Sequence, residues 1–136
     1  MDIREALPTF LATQAAVTNL VGAKVFPVIR PQGVTGRSLV FRVVKGEDGA
    51  AIDGDTHERV YALELVAWAP RYSEAIEIGG VLKALFHGTG SYAMGELQID
   101  ESYKTGEYDG DRVTDMYADC GDYPITFVFE FHWIDA

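Results

Sequence analysis

The chain has a single cysteine, Cys120, among its 136 residues, so an internal disulfide is impossible. A lone thiol is typical of proteins that stay in a reducing compartment, which favours the cytoplasm. Long apolar runs are also missing, because no stretch approaches the roughly 20 apolar residues that span a bilayer. The opening MDIREALPTFLA lacks the apolar core of a signal peptide. The sequence therefore predicts a soluble, unprocessed protein without a membrane partner.

Basic residues are scarce: 11 lysines and arginines stand against 21 aspartates and glutamates, which gives a formal net charge of −10. A surface this acidic repels the phosphate backbone of nucleic acids, so sequence-independent DNA binding is not expected. The hydrophobic share of 48% is enough for a folded chain, and we predict one domain over residues 1–136.

Motifs that carry chemistry are absent as well. The chain has no G-x-S-x-G elbow, no H-E-x-x-H pair and no cysteine–histidine cluster, and its histidines are widely separated. The run HGTGS, residues 87–91, resembles a phosphate loop, but it follows a predicted helix, whereas a phosphate loop precedes one. We therefore predict a protein that is not an enzyme, with no catalytic, cofactor-binding or metal-ligating residues and no cofactor.

Two short acidic segments are the candidates for a binding site. The tripeptide Asp-Gly-Asp occupies residues 53–55, within GEDGAAIDGDTHERVY, and recurs at residues 109–111. Calcium loops place oxygen ligands in the register D-x-[DN]-x-[DN]-G with a distal glutamate, and neither segment matches it. Asp-Gly pairs are also typical of solvated turns, which is the favoured interpretation. A small acidic domain that binds a divalent cation is the alternative.

Helical periodicity is present in three segments. After Asp2, a residue suited to capping, apolar side chains recur every three to four positions as far as Leu11, and a shorter helix is predicted for Ala15–Val21. The clearest helix covers about residues 72–87 and contains the pair Gly79-Gly80. Each glycine costs roughly 1 kcal/mol of helix propensity, so we predict that the helix backbone approaches the sheet closely there.

Alternation of apolar and polar residues predicts three strands, at residues 39–43, 60–69 and 125–134. A polar, glycine-rich stretch separates the first two, so they are expected to pair as a long β-hairpin with an acidic loop. Because each strand has one apolar face, the order of elements predicts an α+β fold, a mostly antiparallel sheet with helices packed on one face.

Three stretches of the sequence resemble one protein family. They are DIREALPTFLATQAAVTNLVGAKVFPVIRPQG, SLVFRVV and LELVAWAPRYSEAIEIGGVLKAL. In order and length they are similar to the tail-completion or tail-terminator proteins of long-tailed phages and phage-like particles. In that family an amphipathic helix leads to an AAV-x-x-LVG segment, a Pro-Gln-Gly loop, two strands ending in tryptophan and a helix opening with Tyr-Ser-Glu-Ala. None of these motifs is catalytic, and residues 101–122 match no pattern of the family.

The resemblance implies a structural virion protein that forms a homohexameric ring at the head-proximal end of the tail tube. Such a ring ends tube polymerisation and joins the tail to the head. The implied partners are other copies of the chain, the tail tube protein and a head-completion or neck protein, while DNA passes through the channel without specific binding. The implied location is the neck region of the virion tail, after assembly in the host cytoplasm. A different neck, connector or head-completion role is the alternative.

The acidic hairpin is the part of the chain that we expect to meet a neighbouring ring. Segments of this kind can become ordered only when they contact a partner. The candidate assembly-interface residues are Asp48, Asp53, Asp55, His57 and Glu58.

Overall fold

The computed structural model describes residues 2–51, 54–110, 113–114 and 121–134. Within these residues the chain forms three helices and a mostly antiparallel sheet, so the predicted α+β class is confirmed. The helices are α1 (Ile3–Ala12), α2 (Ala15–Val21) and α3 (Tyr72–Phe86). The strands are β1 (Val25–Pro27), β2 (Ser38–Ala51), β3 (Gly54–Ala69), β4 (Tyr92–Met94), β5 (Leu97–Asp109), β6 (Val113–Thr114) and β7 (Gly121–Ile134).

The sheet places its strands in the order β1-β2-β3-β7-β5-β4. Neighbouring strands are antiparallel except β1 and β2, which run parallel, and the short β6 pairs with β7 outside this order. β3 and β7 form the centre of the sheet, paired from Glu58 with Ile134 to Ala69 with Tyr123. Because β4 pairs only with residues 97–99, the second half of β5 lies at one edge of the sheet, opposite β1.

The predicted long hairpin is confirmed and consists of β2 and β3. Its strands run further than the alternation predicted: β2 reaches Ala51 and β3 begins at Gly54, rather than ending near residues 43 and 60. Close cross-strand packing is one reason, since a Cβ added to Gly46 would lie 2.6 Å from the ring of Tyr61. The ring therefore lies directly against the glycine backbone. Much of the acidic stretch is consequently strand.

Asp2 caps α1, as the sequence predicted. Its carboxylate accepts a hydrogen bond from the Arg4 backbone N–H at 2.8 Å and pairs with the Arg4 guanidinium at 2.7 Å. The hydrogen bond from the Arg4 side chain lowers the pKa of Asp2 to about 2. At the other end of α1, the ring of Phe10 lies 5.9 Å from that of Tyr92 in β4.

The helices bury their apolar side chains against one face of the sheet. The sheet side of this core comes from alternate residues of β3 and β7, and the helix side from the stripes of α1 and α3. Fully buried side chains on the two sides are Ile3, Leu7, Leu11, Ile78, Leu82, Phe86, Leu63, Leu65, Phe129 and Phe131.

Gly79 marks a very close approach of α3 to the sheet. A Cβ added there would lie 1.9 Å from Cζ of Phe127, so the ring occupies the space of the missing side chain. Gly80 is different: it is exposed, and an added Cβ would meet nothing within 4 Å. The predicted close approach is therefore confirmed for Gly79 and wrong for Gly80.

Gly79→Ala is expected to destabilise the protein, because the new methyl group overlaps the Phe127 ring. An overlap this deep belongs at the upper end of the roughly 1–3 kcal/mol that overpacking costs, which exceeds the gain of about 1 kcal/mol in helix propensity. Urea unfolding followed by circular dichroism measures the change. Gly80→Ala is the matched control and is expected to raise the free energy of unfolding by up to about 1 kcal/mol. Equal effects of the two substitutions would contradict the close approach.

Candidate interaction surfaces

The face of the sheet opposite the helices, which we call the open face, carries a mixture of polar and apolar side chains. They alternate along β2, β3, β5 and β7 with the side chains that enter the core. Hydrogen bonds and ring contacts join many of them across the strands. Among the residues of the open face are Arg42, Glu64, Trp68, Tyr103, Tyr108, Asp122, Glu130 and His132.

Glu64 lies at the centre of a three-residue cluster on the open face. One carboxylate oxygen is 2.6 Å from both Nε and Nη2 of Arg42, and the other accepts from the Tyr108 hydroxyl at 2.6 Å. Burial acts to raise the pKa of Glu64, but the hydrogen bonds from Tyr108 and Arg42 outweigh it and lower that pKa. The bond to Glu64 also raises the pKa of Tyr108. The cluster links β2 and β3 to β5 across the intervening β7.

A second cluster links β5 to β7. The Tyr103 hydroxyl donates to Glu130 at 2.9 Å and lies 3.1 Å from Nε2 of His132, which is 2.7 Å from the same carboxylate oxygen. The bond to Glu130 raises the pKa of Tyr103. The three groups hydrogen-bond to one another, so they form a fixed polar patch on the open face.

The loop between β1 and β2 is tied to β7 by a buried ion pair that the sequence did not reveal. Arg30 Nη1 lies 2.7 Å from a carboxylate oxygen of Asp122, which also accepts from the Gly36 backbone N–H at 3.0 Å. The Asp122 side chain is only 3% exposed. The Arg30 guanidinium also stacks on Trp68, 4.4 Å from the ring centroid. A basic loop residue and an aspartate 92 positions away share no local pattern, so only the fold brings them together.

Asp48, one of the predicted interface residues, is held by side chains of β3. Its carboxylate lies 3.2 Å from Nε of Arg59 and accepts from the Tyr61 hydroxyl at 3.3 Å. The Asp48 side chain remains 60% exposed, so the contact leaves most of it in water. The structure therefore places Asp48 on the surface of the hairpin, paired with its own strand partner.

The other predicted interface residues lie nearer the tip of the hairpin. Glu58 pairs with Ile134, at the end of β7, so the part of the hairpin beyond Glu58 projects past that strand. His57 is exposed and has a φ of 64°, at an irregularity in the pairing of β2 with β3. The backbone of Asp55 belongs to β3, and Asp53 lies outside the described residues.

A metal centre is not found in the parts of the chain that the structure describes: there, no three His, Cys, Asp or Glu side chains are grouped to hold an ion. In the second acidic segment, the Tyr72 hydroxyl lies 2.8 and 2.9 Å from the two carboxylate oxygens of Asp109. This bond joins the start of α3 to the end of β5. None of the helices within the described ranges is long and apolar enough to cross a membrane.

Comparison with solved structures finds likenesses in fold over nearly the whole chain. A chain of the virion of a native gene transfer agent particle superposes with a TM-score of 0.65, over 98% of both chains at 13% sequence identity. A second solved structure gives a TM-score of 0.59 over 98% of this chain and 94% of that one, at 17% identity. No protein-family model and no curated protein matches the sequence. At these identities the likeness establishes a shared fold.

Glu64→Gln is expected to lower the free energy of unfolding by about 1–2 kcal/mol near neutral pH, because neutral hydrogen bonds replace charge-assisted ones. The pKa of Glu64 is lowered in the folded state, so its contribution is complete above the ordinary value of 4.5 and is lost as the pH falls through the folded pKa. The difference between variant and wild type should therefore shrink in acid, which urea unfolding at a series of pH values measures.

Glu47→Gln is the control for this experiment. Glu47 pairs with Lys45 on the surface, where its side chain is 57% exposed, so its loss should change stability much less. A cost of Glu64→Gln that stays constant from neutral pH into acid would contradict the charged cluster.

Proposed function

We propose that this chain is a structural, non-enzymatic protein of a phage or phage-like virion, acting as one domain over residues 1–136. The observation that carries the proposal is the fold shared over 98% of both chains with a component of a gene transfer agent virion. Because the match extends over both full lengths, the likeness includes the arrangement of all the main elements rather than one common motif.

Its place in the virion is the head-proximal end of the tail tube, where copies of the chain form a ring. The ring ends tube polymerisation and presents a surface to the neck proteins of the filled head. The motifs that resemble those of tail-terminator proteins support this role, namely the amphipathic first helix, the Pro-Gln-Gly loop, Trp68 near the end of β3 and the helix that opens at Tyr72.

The charge of the chain is compatible with such a ring. Each copy carries a formal net charge of −10, so a closed ring accumulates strong negative charge around its opening. DNA in the channel is repelled by this charge and does not bind along its phosphate backbone. The partners of the ring are then proteins, the tail tube on one side and a neck protein on the other.

Electron microscopy of particles made without the protein tests the role. Its loss is expected to give tail tubes of uncontrolled length that do not join filled heads. Tubes of normal length that still join heads would refute the terminator role. Labelling the protein in intact particles fixes its position, and a label at the neck but away from the end of the tube would favour the connector or head-completion alternative.

The projecting hairpin is the proposed contact with the neighbouring ring. Replacing Asp53 and Asp55 by asparagine is expected to reduce head joining while leaving thermal unfolding unchanged, with and without calcium, since binding of an ion to the folded state would raise stability. Glu5→Gln with Glu96→Gln removes the same charge from exposed positions elsewhere and is the matched control. Loss of stability, or a calcium response abolished by the pair of substitutions, would contradict an assembly role.

A further inference from the structure

The loop between β1 and β2, residues 28–37, contributes nothing to the hydrophobic core. None of its residues is buried, and none of its apolar side chains packs against the core cluster. Segments with few buried apolar contacts open at a lower free energy than the sheet or the helices around them. The position of this loop therefore depends on its polar contacts.

Two of these polar contacts come from opposite ends of the loop and meet at one atom. Oδ2 of Asp122 accepts a hydrogen bond from Nη1 of Arg30 at 2.7 Å and another from the Gly36 backbone N–H at 3.0 Å. The Asp122 side chain is 3% exposed, so the bonds form away from water, where electrostatic attraction is stronger. A single carboxylate on β7 thus holds both ends of the loop.

The other polar contacts of the loop are open to water. Nε of Arg37 lies 3.6 Å from a carboxylate oxygen of Glu74, and the two side chains are 43% and 26% exposed. The exposed Lys24 donates from Nζ to the Thr35 carbonyl at 3.1 Å. Solvent competes with charged contacts of this kind and screens them, so they stabilise the closed loop only weakly. Asp122 is the main attachment.

Both ends of the loop have a backbone conformation that suits a hinge. Val28 has a φ of 66°, which a branched side chain rarely adopts, and Gly36 has a φ of 82°. Strained conformations persist only where neighbouring contacts impose them, so opening of the loop relieves the strain at Val28. Hinges are a few loop residues that absorb a change of φ and ψ. Rotation at these two residues moves the segment between them as a unit.

The closed loop covers the ring of Trp68 on the open face. The Arg30 guanidinium lies 4.4 Å from the centroid of that ring, and the same guanidinium is bonded to Asp122. Because one group makes both contacts, an opening that separates Arg30 from Asp122 also removes Arg30 from the ring. The exposure of Trp68 is therefore coupled to the position of the loop.

We propose that residues 28–37 form a strap that opens as a unit about Val28 and Gly36 while the sheet stays folded, with Asp122 as its latch. The closed strap covers Trp68, and the open strap exposes the indole ring at one end of the open face. The strap thus controls how much aromatic surface the folded subunit presents. This inference concerns the free subunit and does not rest on the proposed function.

Amide hydrogen exchange of the purified protein, followed by NMR at low concentrations of urea, tests the opening. The Gly36 N–H is expected to be protected and to exchange at a rate nearly independent of urea, because local opening exposes little surface. The slowest amides of residues 60–66 in β3 should accelerate with urea, because they require global unfolding. An unprotected Gly36 N–H, or one that follows the urea dependence of β3, would overturn the strap.

Substitutions separate the latch from the core. Asp122→Asn replaces charge-assisted hydrogen bonds by neutral ones and should speed exchange of the Gly36 N–H by about tenfold or more. Gly79→Ala weakens packing that the closed and open states share, so it should speed exchange in residues 60–66 and leave Gly36 unchanged. Arg30→Gln removes the other partner of the latch and decides the question if Asp122→Asn does not fold. An unchanged Gly36 rate in the latch variants contradicts the role of Asp122.

Hydroxyl-radical labelling with mass spectrometry tests the cover over Trp68. Oxidation of Trp68 should increase several-fold in Asp122→Asn, while Trp133, which is 4% exposed in the core, stays protected. Glu74→Gln is the matched control: it removes the exposed ion pair with Arg37, and both the oxidation of Trp68 and the exchange of Gly36 should remain as in the wild type. Faster exchange of Gly36 without added oxidation of Trp68 would overturn the cover.

Discussion

The close approach of α3 to the sheet at Gly79 is the constraint on which the rest of the structure depends. Because the ring of Phe127 fills the place of a side chain, α3 lies deep against β7. At that depth Phe86, at the end of α3, meets the rings of Phe129 and Phe131, with centroids 5.6 and 5.2 Å apart. α2 packs beside α3, and a groove lined by Tyr72, Ile76 and Phe127 among others lies between α3 and β5. The absence of a side chain at Gly79 thus sets the depth at which α3 packs on the sheet.

Local patterns were enough to predict much of the fold. The cap at Asp2, the helical stripe that ends near Phe86 and the alternation along β3 and β7 all depend on residues close in sequence, so the sequence displays them directly. The extent of the hairpin was not predictable in this way, because glycine and acidic residues are typical of turns and only the cross-strand partners, such as Tyr61 over Gly46, make them strand. The short β1 and its parallel pairing left no periodic signal.

The interaction surfaces were less predictable than the fold. The acidic composition of the hairpin made it a candidate interface in the sequence, and the structure shows that it projects beyond β7. The ion pair of Arg30 with Asp122 and the cluster around Glu64 join residues far apart in the chain, and a single sequence does not show which distant charges will meet. The likeness to a virion chain extends over 98% of this chain, whereas each sequence motif covers only a few residues.

The two tryptophans of the chain lie in contrasting surroundings. Trp133 is buried in the core beside Tyr61, and its indole N–H has no hydrogen-bond partner among the described residues. Trp68 lies on the open face under the cationic guanidinium of Arg30. Their fluorescence therefore responds to different events. The emission of Trp133 reports on the packing of the apolar core, and that of Trp68 reports on whether the loop between β1 and β2 is still in contact with the sheet. The protein carries its own pair of optical probes for telling global unfolding from local release.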